Sequence, residues 1–386
     1  MKKTKKKRTK KPRLLIATDN FLPRWDGVAR FLSEIIPGLR RHYTITVIGP
    51  DNGPDKKKGY KLIKIPVRKK RYGDFRPART KYWKVRKAVK RADIVFAQTI
   101  GPIGAPAVIA AKKQKKPLAC YIHIMEDRLV PMAIGPTPLR KLLYPLMRWY
   151  TQKLFNKADL LLTPSEWVSE QLMWNSIKTE KRVVRLGVDT ERFKPGTADD
   201  LRNDLGITPQ DVVIGQHGRL AREKDLKTLL RGFIRLRARH KNVKLLIIGE
   251  GLPEIQRMLA RQEGVILPGK QDDVVPYLRA MDIFALSSLT ETTSLAALEA
   301  MSCGLPLVST PVGFVKDYIK EGENGYFFPI RDPYTLAKKI EPLLEDATLR
   351  KTIGKAARHT VTQDFTWDRT TKGIVDAITT MRKEGR

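Results

Sequence analysis

At 386 residues the chain is long for a single core, and a content of 41% hydrophobic and 8% aromatic residues excludes a disordered protein, so two domains of ordinary size are expected. Lys and Arg number 75 against 40 Asp and Glu, and the formal net charge of +35 requires anions as partners over part of the surface. Two cysteines exclude a disulfide framework, five scattered histidines without CxxC or HExxH spacing give no support for a metal site, and no run approaches the ~18 uncharged apolar residues of a membrane span.

Residues 1–13 (MKKTKKKRTKKPR) hold nine Lys or Arg and no acid, and read as a disordered basic tail. Only four apolar residues, LLIA, follow, too few for the apolar region of a secretory signal, so the chain is expected in the cytoplasm. From there short β-branched runs alternate with helix-length amphipathic segments, the pattern of parallel sheets covered by helices on both faces. Strands are expected at 13–19, 43–50, 61–67, 93–99, 117–124, 159–165 and 182–187, with helices at 27–41, 79–92 and 137–157, making a Rossmann-like domain over 14–195. The polar, turn-rich stretch GVDTERFKPGTADD at 187–200 carries the boundary. After it the alternation restarts, with strands at 212–220, 243–251, 264–269, 283–288 and 305–310 and helices from about 333. These predict a second Rossmann-like domain over 196–365, followed by a terminal helix at 366–386. The fold class is therefore α/β, with two doubly wound Rossmann-like domains facing a cleft, since such sheets bind ligands at the carboxyl ends of their strands.

Charge divides unevenly along this plan. Residues 1–205 carry 47 basic and 18 acidic residues, a net +29, whereas 206–386 carry 28 and 22, a net +6. Residues 56–116 hold 21 Lys or Arg against two Asp, interleaved with Tyr72, Phe75, Tyr82 and Trp83. That mixture suits nucleic acid or anionic lipid headgroups, and composition does not choose between them.

Three strand-to-helix turns stand out. TDNFLPRWDGVARF at 18–31 puts Gly27 at a helix start, where it either lets backbone amides approach an anion or simply makes the turn. HGRLAREKD at 217–225 gathers Arg219, Arg222 and Lys224 after a strand in the nearly neutral half; Arg can grip phosphate oxygens with two parallel hydrogen bonds, and Lys adds a point charge. His217 itself reads as a strand residue. In ETTSLAALEAMSCG at 291–304, Glu291 closes a loop, the TTS segment starts a helix whose free amides can face an anion, and Glu299 lies two turns in. A buried carboxylate must be satisfied. Sugar or ribose hydroxyls could satisfy either glutamate, and a cation from another element could satisfy Glu299. His123, in YIHIMED at a strand end, is either a satisfied core histidine or a site residue.

GRLAREKD, the later E-x7-E and EAMSCGLPLVSTPVG together resemble the donor site of the retaining, nucleotide-sugar-dependent glycosyltransferases of family 4 (glycosyl transferases group 1), which have the GT-B fold. TDNFLPRWDGVARF, DIVFAQTIGPIGAPAVIAA, TPSEWVSEQL, RLGVDTERFKP and FTWDRT resemble the family's segments at the same places, so the resemblance covers nearly everything from residue 13 onward. It implies that Arg219 and Lys224 hold the donor diphosphate and stabilise the charge developing on it. It assigns Glu299 to the ribose hydroxyls, Glu291 to hydroxyls of the transferred sugar, the backbone around Ser294 and Leu295 to phosphate, and Gly27 to the approach of the sugar phosphate. His123 becomes an active-site histidine beside donor sugar and acceptor, with Glu126 or Asp127 on the acceptor side, and the terminal helix returns to the first domain. Thr293 and Ser294 stand where the family often has an aromatic residue and Gly, which leaves donor selectivity open. The chain has no D-x-D, so side-chain cations and helix amides, with no metal and no other cofactor, are expected to stabilise the leaving group. Retention by attack on the leaving-group side is what the resemblance implies.

The family's first domain chooses the acceptor, and here RTKYWKVRKAVKRA at 79–92 and LRKLLYPLMRWYTQKLF at 139–155 read as a surface able to lie on anionic lipid. The expected function is transfer of a hexose from a UDP- or GDP-type sugar to a lipid-linked acceptor, such as a diacylglycerol-type lipid, by a peripheral protein on the inner face of the membrane. A soluble or polysaccharide-precursor acceptor would need no membrane. A noncatalytic polyanion binder would explain the charge while leaving Arg219, Lys224, Glu291 and Glu299 a coincidence, and no RNP or GXXG pattern in context points to nucleic acid. An epimerase of the same fold would lack the basic acceptor face.

Overall fold

The structure is a computed structural model that describes residues 11–24, 26–54, 59–69, 76–123, 137–291 and 293–384, with the backbone alone over 137–142. The chain divides into two compact units, Met1–Arg185 with Thr370–Arg386, and Leu186–Arg369.

In the first unit seven parallel strands, β1 (Arg13–Ala17), β2 (Thr44–Pro50), β3 (Lys61–Ile65), β4 (Ile94–Ala97), β5 (Leu118–Tyr121), β6 (Leu160–Thr163) and β7 (Lys181–Val183), form one sheet in the order β3-β2-β1-β4-β5-β6-β7. The central strands IVFA, LACY and LLLT are buried at every residue, which is why they read as continuous apolar runs: helices cover both faces of a parallel sheet. The helices Gly27–Leu39 and Glu166–Trp174 begin at residues whose side chains accept their first free amides, Asp26 from Val28 and Ala29, and Ser165 from Val168. Strand order reverses between β1 and β4, which opens a crevice at their carboxyl ends.

The second unit repeats the plan with β8 (Val212–His217), β9 (Val243–Ile248), β10 (Val265–Gly269), β11 (Ile283–Leu286), β12 (Leu307–Ser309) and β13 (Gly325–Phe327), in the order β10-β9-β8-β11-β12-β13. Its reversal lies between β8 and β11. Every strand expected from the sequence forms, shortened at its ends, and β13 is an addition: three residues are too few to show a period.

Residues 186–195, assigned to the first domain by pattern, sit with the second unit. Val188 and Phe193 are buried in its core, the Val188 amide donates to Phe365 O at 2.8 Å, and Ser302 Oγ and Arg358 Nη1 donate to Phe193 O at 2.5 and 3.1 Å. The terminal helix joins the first unit from Thr370, whose hydroxyl donates to Arg185 O at 2.8 Å, and Arg182 meets Glu384 at 3.3 Å. No helix among the described residues is long and apolar enough to cross a membrane.

Candidate active site

In the second unit β8 and β11 are hydrogen-bonded neighbours at the reversal point, so the loops that follow them emerge side by side. After β8 the chain passes Gly218 (φ +134) and a 3-10 turn, Arg222–Lys224, before the helix Leu226–Arg239. A Cβ on Gly249, just after β9, would fall 1.9 Å from Gly218 O, so only glycine lets these two strand ends approach. The loop after β11 is stitched to the 3-10 turn. The Leu289 amide donates to Glu223 O at 2.7 Å, Ser287 Oγ donates to Lys224 O at 2.8 Å, and Lys224 Nζ donates to Glu291 Oε1 at 2.5 Å. Ser288 Oγ donates to the same Glu291 oxygen at 2.8 Å. With side-chain exposures of 16% and 11%, Lys224 and Glu291 are a largely buried pair whose ammonium still carries donors to spare.

Glu299 is 1% exposed on the helix Leu295–Ser302, and its Oε2 lies 3.0 Å from His217 Nε2. His217 is therefore more than the strand residue it reads as: it ends β8 against the buried carboxylate of the helix that follows β11, and its ring lies edge-on to Phe284 at 5.7 Å. The need of Glu299 for a partner was the signal that could have found it. Ser294 caps this helix, its Oγ accepting from the Ala297 amide at 3.4 Å, while the amides of Leu295 and Ala296 lie in the first turn, where no partner can come from the helix itself. Thr293 Oγ1 and both amide atoms of Gln216 are buried without a hydrogen-bond partner among the described residues. Arg219 stands apart from the Lys224–Glu291 pair: its side chain is 75% exposed and meets Glu223 at 3.1 Å.

In the first unit Gly27 is the first residue of its helix, and a Cβ there would meet nothing within 4 Å, so this face of the turn is open. Phe31 on that helix packs edge-on against His123 with centroids 4.7 Å apart, and Tyr121 packs on the same ring at 4.7 Å. His123 follows β5, and its Nε2 lies 3.0 Å from Gln98 Oε1, which follows β4. One edge of the residue stays accessible, yet the aromatic enclosure pushes the pKa down to about 3, keeping the ring neutral. With Gln98 Oε1 as acceptor, Nε2 bears the hydrogen and Nδ1 is the ring's acceptor. Glu126 and Asp127 lie outside the described residues.

The two reversal points differ in what lies at the helix start. In the first unit the helix Gly104–Lys113 follows β4, and the carboxylate of Asp19 already occupies its start, accepting from the Ile103 and Gly104 amides at 2.7 and 3.2 Å and from Thr99 Oγ1 at 2.7 Å. Burial raises the Asp19 pKa against these hydrogen bonds. In the second unit the corresponding helix after β11 starts with a hydroxyl cap and has the Lys224 ammonium in the neighbouring loop. The first crevice holds its own carboxylate at the helix start, and the second has a hydroxyl cap there instead.

Residues 25–192 match the family described as Glycosyltransferase Family 4, and residues 211–346 match the family described as Glycosyl transferases group 1. The chain belongs to glycosyltransferase family 4. Among its relatives, the D-inositol 3-phosphate glycosyltransferase of Corynebacterium jeikeium (strain K411) is 31% identical over 58% of this family-4 chain and 58% of its own length. The alpha-monoglucosyldiacylglycerol synthase of Streptococcus pneumoniae is 26% identical over 82% of the chain and 75% of its own length. The chain spans only 58% and 60% of the length of the two inositol 3-phosphate relatives it matches first. Anabaena Alr3699/HepE, solved in complex with UDP-glucose, superposes with a TM-score of 0.75 over 95% of this chain and 99% of its own, at 18% identity, which establishes the two-domain GT-B fold. Elsewhere in the family-4 chain, His240, Glu341 and Glu345 converge within 4.8 Å, but Arg239 already pairs with Glu341 at 2.6 Å, and the group forms an ion-pair network between two helices.

Proposed function

We propose that the protein is a metal-independent, retaining glycosyltransferase that moves a hexose from a nucleotide-diphosphate sugar of the UDP or GDP type to a lipid-linked acceptor at the inner face of the membrane. The observation that carries the donor half is the buried Lys224–Glu291–Ser288 linkage beside Glu299 and the open first turn of the helix Leu295–Ser302. The diphosphate lies over the Leu295 and Ala296 amides with Ser294 at the turn, and the ammonium of Lys224 offers its remaining hydrogens to it while one stays with Glu291. Arg219, exposed at the surface, swings from Glu223 to the same anion. As the glycosidic bond breaks, these positive groups stabilise the leaving nucleotide diphosphate in the role a metal plays in other transferases. Glu299, held by His217, accepts from ribose hydroxyls through its other oxygen, and Glu291 accepts from a sugar hydroxyl.

On the first unit Gly27 leaves room for the sugar phosphate, and neutral His123, anchored by Gln98, presents an acceptor nitrogen to a hydroxyl of donor sugar or acceptor; Glu126 or Asp127 serves the acceptor side. The lipid half of the proposal rests on the basic first domain, on the exposed Trp83, Trp149 and Trp174 (58%, 51% and 78%) and on the glycolipid-synthase relative. The inositol-phosphate relatives favour a second reading, a soluble phosphorylated acceptor, which the same cations would also attract.

Nucleotide release and product formation from a panel of UDP-, GDP- and ADP-sugars, with and without anionic vesicles containing diacylglycerol and in the presence of EDTA, tests the whole reading. Turnover that needs vesicles, survives EDTA and gives a glycolipid with the donor's anomeric configuration supports it. Turnover indifferent to vesicles moves the acceptor to soluble molecules, and absence of turnover and donor binding leaves a polyanion-binding protein.

A further inference from the structure

The helix Gly104–Lys113 is packed between the helices Tyr82–Lys90 and Thr137–Phe155. The middle helix carries two Lys or Arg and its neighbours four each, and none of the three carries Asp or Glu. Asp159 reaches Lys112 at 3.9 Å from outside this set. Near the start of the middle helix a hollow of about 380 Å³ opens between Ile100, Pro102, Ala105 and Pro106 on one side and Met147 and Tyr150 on the other. The Tyr150 hydroxyl donates to Ile100 O at 2.8 Å, so the tyrosine presents carbon to the hollow and water inside would find little to bond. Beside it on the same helix, Leu146 and Trp149 are 55% and 51% exposed, with Lys153 Nζ 4.6 Å from the Trp149 ring, and Arg148 donates to Trp174 O at 3.1 Å. Ile100 stands two residues beyond Gln98, the partner of His123.

An apolar hollow, apolar and aromatic side chains left in water at its edge, and helices rich in Lys and Arg with no carboxylate of their own form the pattern of a surface that meets a bilayer rather than a soluble anion, which would need the charge and leave the carbon unused. We propose that this hollow receives an acyl chain of a glycerolipid while the surrounding cations hold anionic headgroups, placing a lipid next to His123. Its role in transfer rests on the lipid-acceptor reading above; the binding itself does not.

The test uses the full chain with equimolar phosphatidylglycerol and phosphatidylcholine vesicles carrying a trace of phosphatidylcholine with a diazirine on its acyl chain, irradiation, and mapping of labelled peptides. The expected label falls within 100–106 and 143–150. Ala105→Phe, which puts a phenyl ring into the hollow, lowers it roughly tenfold without changing the melting temperature much. Should that variant misfold, Met147→Phe at the half-exposed wall does the same work. Label confined to other peptides, or unchanged in the filled variants, or equally strong in vesicles of phosphatidylcholine alone, overturns the proposal. Label in the hollow without sugar transfer to lipid upholds the site and removes the lipid-acceptor function. Glycolipid formation with an unlabelled hollow removes the site and leaves that function standing.

Discussion

Glu299 shows how much hangs on one buried charge. At 1% exposure its carboxylate lies 3.0 Å from His217 Nε2, and replacement by Ala would leave an imidazole facing a cavity. On the proposed donor site, Lys224→Ala removes a cation placed to stabilise developing charge, and transfer is expected to fall by ~10² or more, with the fold intact by circular dichroism. Glu299→Ala should act chiefly on donor affinity, raising the KM for the nucleotide sugar by ~10-fold or more. Steady-state kinetics with the true donor checks both, and full activity in either variant would dismantle the site. His123 gives a pH signature. Unfolded, it takes up a proton near 6.5; folded, only near 3. Between those values the unfolded state holds the extra proton, so stability rises with pH by up to ~1.4 kcal/mol per unit and its contribution is complete above 6.5. Denaturant titrations from acid to neutral pH should show a shallower rise in His123→Asn than in the parent; equal slopes would mean the ring is not held neutral.

At the scale of elements, the strand ends behave differently from one another. Gly249 and Gly218 both have left-handed backbone, φ +142 and +134, but an added Cβ collides with Gly218 O in the first case and meets open space in the second. Gly249→Ala is therefore expected to cost ~3 kcal/mol or more, through clash and strain together, and Gly218→Ala ~1–2 kcal/mol through strain alone. Urea unfolding of the two variants distinguishes them, and equal losses would contradict the geometry. The strands themselves were legible in the chain because each is a short apolar run buried on both faces, as IVFA and LLLT are. β13 was not legible, since three residues carry no period, and residues 186–195 were placed in the wrong unit because a polar stretch shows no sign of the Val188–Phe365 and Phe193–Arg358 contacts that hold it.

At the scale of the molecule, charge and chemistry are separated. The first half of the chain carries +29 and the second +6, so the basic surface and the proposed donor site fall to different parts of the chain. Vesicle binding should depend on salt: between low and physiological ionic strength, affinity for anionic vesicles is expected to drop by ~10-fold or more, while donor affinity in the more neutral second unit changes little. Co-sedimentation and nucleotide titration at matched salt test this, and parallel losses would place the donor site under the same field as the membrane surface.

Family, fold class and the types of the donor-site residues lie in local sequence, since motif order, strand alternation and the pairing of cations with carboxylates are properties of neighbouring residues. Partners are not. That Lys224 bonds Glu291 across 67 residues, that His217 rather than a ligand alone meets Glu299, that Gln98 anchors His123 and that Asp19 fills one of two equivalent crevices follow from which strand ends the sheets bring side by side. Sheet order is set by packing over long separations, and no local pattern of residues encodes it.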